Sequence, residues 1–430
     1  MVAAVVIASL LFLLMAFFGL VLFEYVMREN RLNRIHELGI EGERFSVDSA
    51  LFGETFELLT GTPLHDGSAV EILLNGDETF PRLLEDLRAA KKLITWHVYW
   101  LRSSRIAEQV KDVLMERARA GVKVFMLIDA FGSRTLPDEY LQALREAGVH
   151  LDFFRPFSWR ILYKVQQRMH IRCVVIDGSV GYTGGFGIDQ LWEGDGRHPD
   201  GWRDTNVRIE GAAVNQLQAA FVSNWGESSS ELLVGGSVFH PRDRVCGHHT
   251  CGVLHTAPSI GCTNAERFFV LFISAAQRRL WITNPYFVPD DDFRTLLMDT
   301  ASRGVDVRIL TPGANVDNPA TWYAARAHYE ELLGAGIRIF EYRPTMIHAK
   351  TLVVDGLWGA VGTINFDNRS VMLNDEVSSV FRDEELARRL ETIYLQDLEH
   401  STEVNLEEFR KRSWSGKVKE QSWRRVRALL

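Results

Sequence analysis

The chain has 430 residues, 46% hydrophobic and 24% charged, the balance of a folded protein with a large core and room for two or three domain-sized units. Its formal net charge of −8 excludes a body built as a nucleic-acid binder, which would be basic. Its four cysteines exclude a disulfide scaffold.

Residues 2–23 carry no charge, and about 20 apolar residues suffice to cross a bilayer as a helix. No Lys or Arg precedes the run, and Phe23, Glu24 and Tyr25 make a poor cleavage site. The run therefore reads as a retained transmembrane anchor rather than a signal peptide or a buried core helix. Arg28, Arg31 and Arg34 follow it, which places the body on the cytoplasmic side of the cell (inner) membrane. Residues 24–64 read as a juxtamembrane segment. Beyond them the chain alternates apolar, β-rich runs at 93–100 and 122–128 with a helical pattern of Ile106, Val110, Val113, Leu114 and Ala118. Residues 231–262 are rich in Gly, Ser and His and read as a linker. Further strand-like runs at 280–286 and 305–310 follow. Residues 401–430 form a tail in which Arg410, Lys411, Arg412, Lys417, Lys419, Arg424, Arg425 and Arg427 face a single late acid, Glu420. With Trp414 and Trp423 among these cations, the tail suits an anionic membrane surface better than a solvated end.

The body is duplicated. The stretch 89–94 recurs at 275–280, 119–124 at 302–307, 147–149 at 335–337, and Arg155-Pro156 as Arg343-Pro344. His170 and Asp177 recur as His348 and Asp355, and all offsets lie between 178 and 188 residues. Ordered matches at one offset mean two copies of one unit, here lobes at 65–230 and 263–400. The strand–helix alternation predicts α/β lobes with largely buried sheets.

The second copy carries His348-Ala349-Lys350, an apolar strand over 351–354, the turn Asp355-Gly356, and Gly362-Thr363-Ile364-Asn365. His348 and Lys350 are two apart at a strand start and share a face. One imidazole can attack phosphorus and a second can protonate the leaving oxygen. Cations and fixed donors such as Asn365 stabilise the charge of the transition state. One copy supplies one His and one cation; two facing copies supply the full set for a phosphodiester.

His348, Lys350 and Asp355 resemble the His-x-Lys-x4-Asp motif of the phospholipase D superfamily. The stretch from Asn365 through Arg369-Ser370 to Leu373-Asn374-Asp375-Glu376 is similar to bacterial cardiolipin synthases in particular. The resemblance covers residues 70–400. It implies two mixed-sheet lobes about a pseudo-twofold axis with the site between them, a phosphohistidine intermediate, and no metal or cofactor. It also implies orienting acids, assigned by position to Asp204, 34 residues after His170, and Glu376, 28 residues after His348. By family tendency His170 is the nucleophile and His348 the general acid, an order the residues alone leave open. Asp177 and Asp355 belong to the motif set, with a bracing role at the strand ends. The first copy departs from the pattern: Arg172 stands in the Lys position and Gly187 in the Asn position. An Arg keeps the charge but not the point geometry.

The resemblance implies a phosphatidyltransferase that joins two phosphatidylglycerols and releases glycerol. Transfer to water, a nuclease, or a weakened lipid-binding relative are the alternatives; the acidic body argues against the nuclease. The oligomeric state stays open. His240, Cys246, His248, His249, Cys251, His255 and Cys262 cluster in the linker. They lack the paired knuckles of a zinc site and read as a variable loop.

Overall fold

Strands in this chain form where apolar, β-branched runs can be buried on both faces; the run 93–98, Leu-Ile-Thr-Trp-His-Val, is buried at every position. The structure, a computed structural model, describes residues 2–26, 32, 34–38, 45–157, 164, 166–241, 244–259 and 261–424. Arg28, Arg31, Arg425 and Arg427 lie outside the described residues.

The first half contains β1 (His65–Leu74), β2 (Leu93–Val98), β3 (Lys123–Asp129), β4 (His150–Phe154), β5 (Cys173–Ile176), β6 (Val180–Gly184) and β7 (Thr205–Glu210). The second contains β8 (His249–Thr256), β9 (Arg279–Thr283), β10 (Asp306–Pro312), β11 (Arg338–Tyr342), β12 (Thr351–Val354), β13 (Trp358–Gly362), β14 (Glu376–Arg382) and β15 (Ser401–Glu403). They join in one mixed sheet of 15 strands, in the order β15-β11-β10-β9-β12-β13-β14-β8-β1-β7-β6-β5-β2-β3-β4. Outward from the centre, β1-β7-β6-β5-β2-β3-β4 mirrors β8-β14-β13-β12-β9-β10-β11. Each half has one parallel trio, β2-β3-β4 or β9-β10-β11. The two halves meet where β1 pairs antiparallel with β8.

Helices cover the sheet by amphipathic packing. The helix Arg105–Arg119 starts at Ser104, whose hydroxyl accepts the Ala107 N–H at 3.2 Å. It buries Ile106, Val110, Val113 and Leu114, as its spacing predicts.

Three boundaries differ from the expectation. The stretch 231–262 contains β8, a central strand. Its Gly, His and Cys residues hide the strand signal, because both faces are covered and no alternation is needed. At the other end β15 pairs with β11, so the second half's sheet runs into the expected tail. In the segment 24–64, the helix Ala50–Thr60 packs into the second half, although the first half follows it in sequence. Phe52 and Phe56 meet Phe272 and Trp358 at ring-centroid distances of 5.1–5.9 Å, and the Trp358 indole donates to the Val47 carbonyl at 2.8 Å.

The N-terminal helix spans Val2–Val26, and residues 5–19 are all exposed. Among the described residues no helix is long and apolar enough to cross a membrane; the side chains described in this helix are those of 5–19 alone. The tail forms a helix, Trp414–Arg424, that packs on the helix Pro319–Arg326. Glu420 is buried there and accepts from Arg412 at 2.8 Å, whereas Trp414 is 80% exposed.

Asp177 and Asp355 occupy the same place in each half. Both have positive φ, at 50° and 55°. Asp177 accepts the N–H groups of Lys91, Lys92 and Leu93 at 2.7–2.9 Å. Asp355 accepts those of Gln277, Arg278 and Arg279 at 2.8–2.9 Å. Each carboxylate ties the end of β5 or β12 to the start of its neighbour β2 or β9, at the opposite strand end from the motif His. Grouping them with the catalytic residues is therefore corrected: they brace the sheet. Asp355→Ala strands three backbone donors, and loss of a buried partner costs about 1–3 kcal/mol. Urea denaturation is expected to register a loss of at least that size, and an unchanged midpoint would contradict the bracing role.

Candidate active site

The motif histidines sit where the two halves exchange short backbone bridges. Met169 bridges Asp375, and Arg203 bridges Ile347. His170 N–H donates to the Asp375 carbonyl at 2.9 Å, and His348 N–H to the Arg203 carbonyl at 2.7 Å. Arg203 also reaches across to Asp397 with two bonds of 2.8 Å. Each half thereby pins the other half's histidine beside its own acid.

The result is a crossed pairing. His170 Nδ1 lies 2.8 and 3.0 Å from the Glu376 carboxylate oxygens. His348 Nδ1 lies 3.1 Å from Asp204 Oδ2. Order along the chain suggests that each acid serves the histidine before it, but each serves the histidine of the opposite half. Glu376 also accepts from Ser370, Thr363 and Asn374. Asp204 also accepts from the Trp192 indole at 2.7 Å and the Thr205 N–H at 2.8 Å.

The two cations make matching contacts. Lys350 Nζ donates to the His348 carbonyl at 2.7 Å and lies 2.9 Å from both Nδ1 and Nε2 of the same ring. Arg172 Nη1 donates to the His170 carbonyl at 2.9 Å and lies 2.9 Å from Nε2 of that ring. One guanidinium nitrogen thus stands where the ammonium stands in the other half, with the Arg172 guanidinium 5.0 Å over the Tyr99 ring. A guanidinium only donates, so His170 Nε2 accepts and Nδ1 carries the proton given to Glu376.

Burial and the neighbouring cations set the charges. Burial, then Arg172 and Lys350, hold His170 well below its usual range. Burial and Lys350 bring His348 down to about 3, against the pull of Asp204. Burial and Arg172 hold Lys350 well below its usual value. The acids diverge. Burial lifts Glu376 to about 8 despite its hydroxyl donors and Arg172. For Asp204 burial is outweighed by the bond with His348 and the charge of Lys350, and its pKa falls.

His170, His348 and Arg172 line a cavity of about 190 Å³, together with Asn365, Arg369, Asn374 and a set of aromatic residues. Asn365 is buried there, and its Oδ1 has no partner among the described residues. Gly187 does not simply lose this donor: a Cβ there would lie 2.7 Å from the Trp192 ring. Gly185, opposite Thr363, leaves room for an acid, since a Cβ would lie 2.3 Å from Asp204 Oδ1. The first half trades an amide for an indole and a hydroxyl for space.

The aromatic lining went unread in the sequence. Tyr99 meets the His170 ring at 4.5 Å, and Trp192 and Trp202 each meet the His348 ring at 5.2 Å. Tyr99 and Tyr286 follow equivalent strands β2 and β9 at the repeat offset, a signal that was available. The seven His and Cys residues of 231–262 do not converge. His240 bonds the Asp177 carbonyl at 2.6 Å, and within β8 Cys251 is buried and His255 half-buried. Of that set His248 and His249 meet Glu385, each with one ligand atom within 4.8 Å of the others, and His248 and Glu385 are exposed.

Residues 270–398 match the family described as cardiolipin synthase, PLD-like domain. Cardiolipin synthase 2 of Bacillus anthracis is 35% identical over 361 residues, 83% of this chain and 70% of the relative. The cardiolipin synthase of Halalkalibacterium halodurans is 32% identical over 374 residues, 86% of this chain and 74% of the relative. The fold is shared with the crystal structure of phosphatidylserine synthase from Haemophilus influenzae Rd KW20, at a TM-score of 0.69 and 14% identity over 88% of this chain and 100% of that one. With relatives at this identity along most of its length, the chain belongs to the cardiolipin synthase family of phospholipase D-type phosphatidyltransferases.

Proposed function

We propose that the protein makes cardiolipin from two phosphatidylglycerols through a phosphohistidine on His170. The observation that carries this reading is the crossed pairing: two imidazoles, each held by an acid of the opposite half, face one cavity with a cation beside each. The phosphate of the first lipid sits between Arg172 and Lys350, with Asn365 as a further donor. Neutral His170 attacks phosphorus through Nε2, forming an N–P bond as the P–O bond to glycerol breaks. His348 gives its proton to the departing oxygen and glycerol leaves. The hydroxyl of a second phosphatidylglycerol then gives its proton to His348 and attacks phosphorus, and the N–P bond breaks to restore His170.

The two acids support this order of roles. Asp204, held low, offers a full negative charge that stabilises the imidazolium of His348. Glu376, lifted to about 8, offers less, which suits a nucleophile that must stay neutral. The phosphate's own charge, arriving beside Lys350 and Arg172, offsets the cations that depress His348 in the empty site.

The exposed apolar stretch 5–19 of the N-terminal helix supports a single-pass anchor, and Arg28, Arg31 and Arg34, which follow it in the sequence, support a catalytic body on the cytoplasmic side. The tail cations and the exposed Trp414 support contact with an anionic surface. Phospholipid is the substrate class in either case.

Rapid acid-free quenching with headgroup-independent, acyl-labelled phosphatidylglycerol is expected to place label on the peptide bearing His170. His348→Ala is expected to slow glycerol release by about 10²–10⁴. Label on the His348 peptide instead would reverse the roles. Because Arg172 reproduces the contacts of Lys350, Arg172→Lys is expected to change turnover by less than about tenfold, or about 1.4 kcal/mol of barrier; a much larger gain would mark the first half-site as attenuated. Removal of residues 2–26 is expected to move the protein out of the membrane fraction in salt-washed fractionation, and full retention would contradict the anchor.

A further inference from the structure

The phosphate site carries a feature that a phosphate does not explain. Its cations, Arg172 and Arg369 with Lys350 close by, suit an anion, yet two carboxylates also line the cavity, of which Asp367 is buried and accepts the Ser370 N–H at 2.7 Å. Asp317 lies on the exposed rim, where it accepts the Tyr286 phenol at 2.7 Å. A carboxylate there weakens anion binding, so its usefulness lies with a neutral part of the substrate that donates hydrogen bonds. Its position says which part. The Tyr286 ring that holds it also faces the His348 ring, 6.4 Å away. His348 is the group that must lie against the leaving and the accepting oxygens.

Thr321 completes the same wall from the helix Pro319–Arg326. It is buried, its hydroxyl donates to the Asn318 carbonyl at 2.7 Å, and its lone pairs remain for an incoming hydroxyl. Among the described residues the equivalent place in the first half, at the end of β3, offers no counterpart. Strand β3 ends on Asp129, which is fully buried and already accepts from Arg168, Met169, Phe131 and Gly132. Asp317 and Thr321 thus stand on the side of His348, apart from the amide oxygens of Asn365 and Asn374, which also line the cavity.

We infer that Asp317, held by Tyr286 and backed by Thr321, forms a subsite for a vicinal diol, and that it selects a glycerol headgroup over water and over simple alcohols as the group that leaves and the group that accepts. The inference rests on the phosphohistidine reading above, since it concerns how that intermediate is divided among acceptors. One hydroxyl of the diol meets His348 and phosphorus; its neighbour bonds the Asp317 carboxylate. Water and a monohydric alcohol lack that second hydroxyl and leave the carboxylate unused. Microscopic reversibility gives the departing glycerol and the accepting headgroup the same place.

The test divides one intermediate between two acceptors. Full-length protein in mixed micelles of phosphatidylglycerol receives equal concentrations of 1,2-propanediol and 1-propanol, and the two phosphatidyl alcohols, cardiolipin and phosphatidic acid are separated by mass. A product ratio is independent of the amount of active enzyme and of the first step. Wild type is expected to favour the diol, and Asp317→Ala to lower that preference by about tenfold with a rise in phosphatidic acid. Tyr286→Phe, which keeps the ring and frees the carboxylate, and Thr321→Val are expected to lower it less. If Asp317→Ala turns over too slowly, the ratio in the other two variants decides. Alcohol transfer without diol preference in wild type, or a preference unchanged in the variants, overturns the subsite and leaves the phosphohistidine chemistry standing. Wild type that forms no cardiolipin and no phosphatidyl alcohol overturns both.

Discussion

The exchange of acids between the halves is the constraint on which the rest of the structure depends. A histidine that must hold one tautomer needs a fixed carboxylate. Here that carboxylate comes from the other copy, so neither half has a working imidazole of its own. The backbone bridges at Met169–Asp375 and Arg203–Ile347, the bidentate Arg203–Asp397 pair and the β1–β8 junction all serve to hold that exchange in register. Duplication gave two equal units, and crossing made them interdependent.

Interdependence allowed the copies to diverge. Once each histidine is held from across the interface, its own half is free to vary the groups beside it. Arg172 replaces a lysine but puts one nitrogen in the same place, with Tyr99 beneath the guanidinium. Gly187 replaces an asparagine and admits Trp192, which in turn donates to Asp204. Trp192 helps to lower Asp204, whereas Arg172 opposes the rise of Glu376, so the acids are set apart by burial and by the bonds that Asp204 accepts. Asp204 is shorter and held low by His348, Lys350 and Trp192; Glu376 is longer, enclosed among hydroxyls and lifted by burial. A symmetric ancestor would have two equivalent histidines, whereas this chain has reasons to use them differently.

Much of this was legible in the residues. The repeat located both motifs, because equal offsets survive divergence better than any single residue. The strand alternation predicted the α/β class, and the spacing of Ile106, Val110, Val113 and Leu114 predicted its helix. The pairing of acids was not legible, since distance along the chain says nothing about which half a side chain leans toward. β8 was hidden by its composition: buried on both faces near the sheet's centre, it needs no alternation, and its His and Cys residues look like a ligand set. The place of the helix Ala50–Thr60 was equally hidden. Its Phe residues announce burial but not their partner, and nearness in sequence points to the wrong half.

That helix has a consequence for how the protein is made. Val47 and Trp358, which share a hydrogen bond, are 311 residues apart. At ribosomal rates of about 5–20 residues per second, Phe52 and Phe56 wait roughly 15–60 s for the aromatic neighbours that bury them. The first half can assemble its strands in that interval, but the segment leading into it stays apolar and uncovered. Birth of the protein therefore ends in a single closing event: arrival of the second half buries the waiting helix, seals the central strand pair and delivers the missing acid to His170.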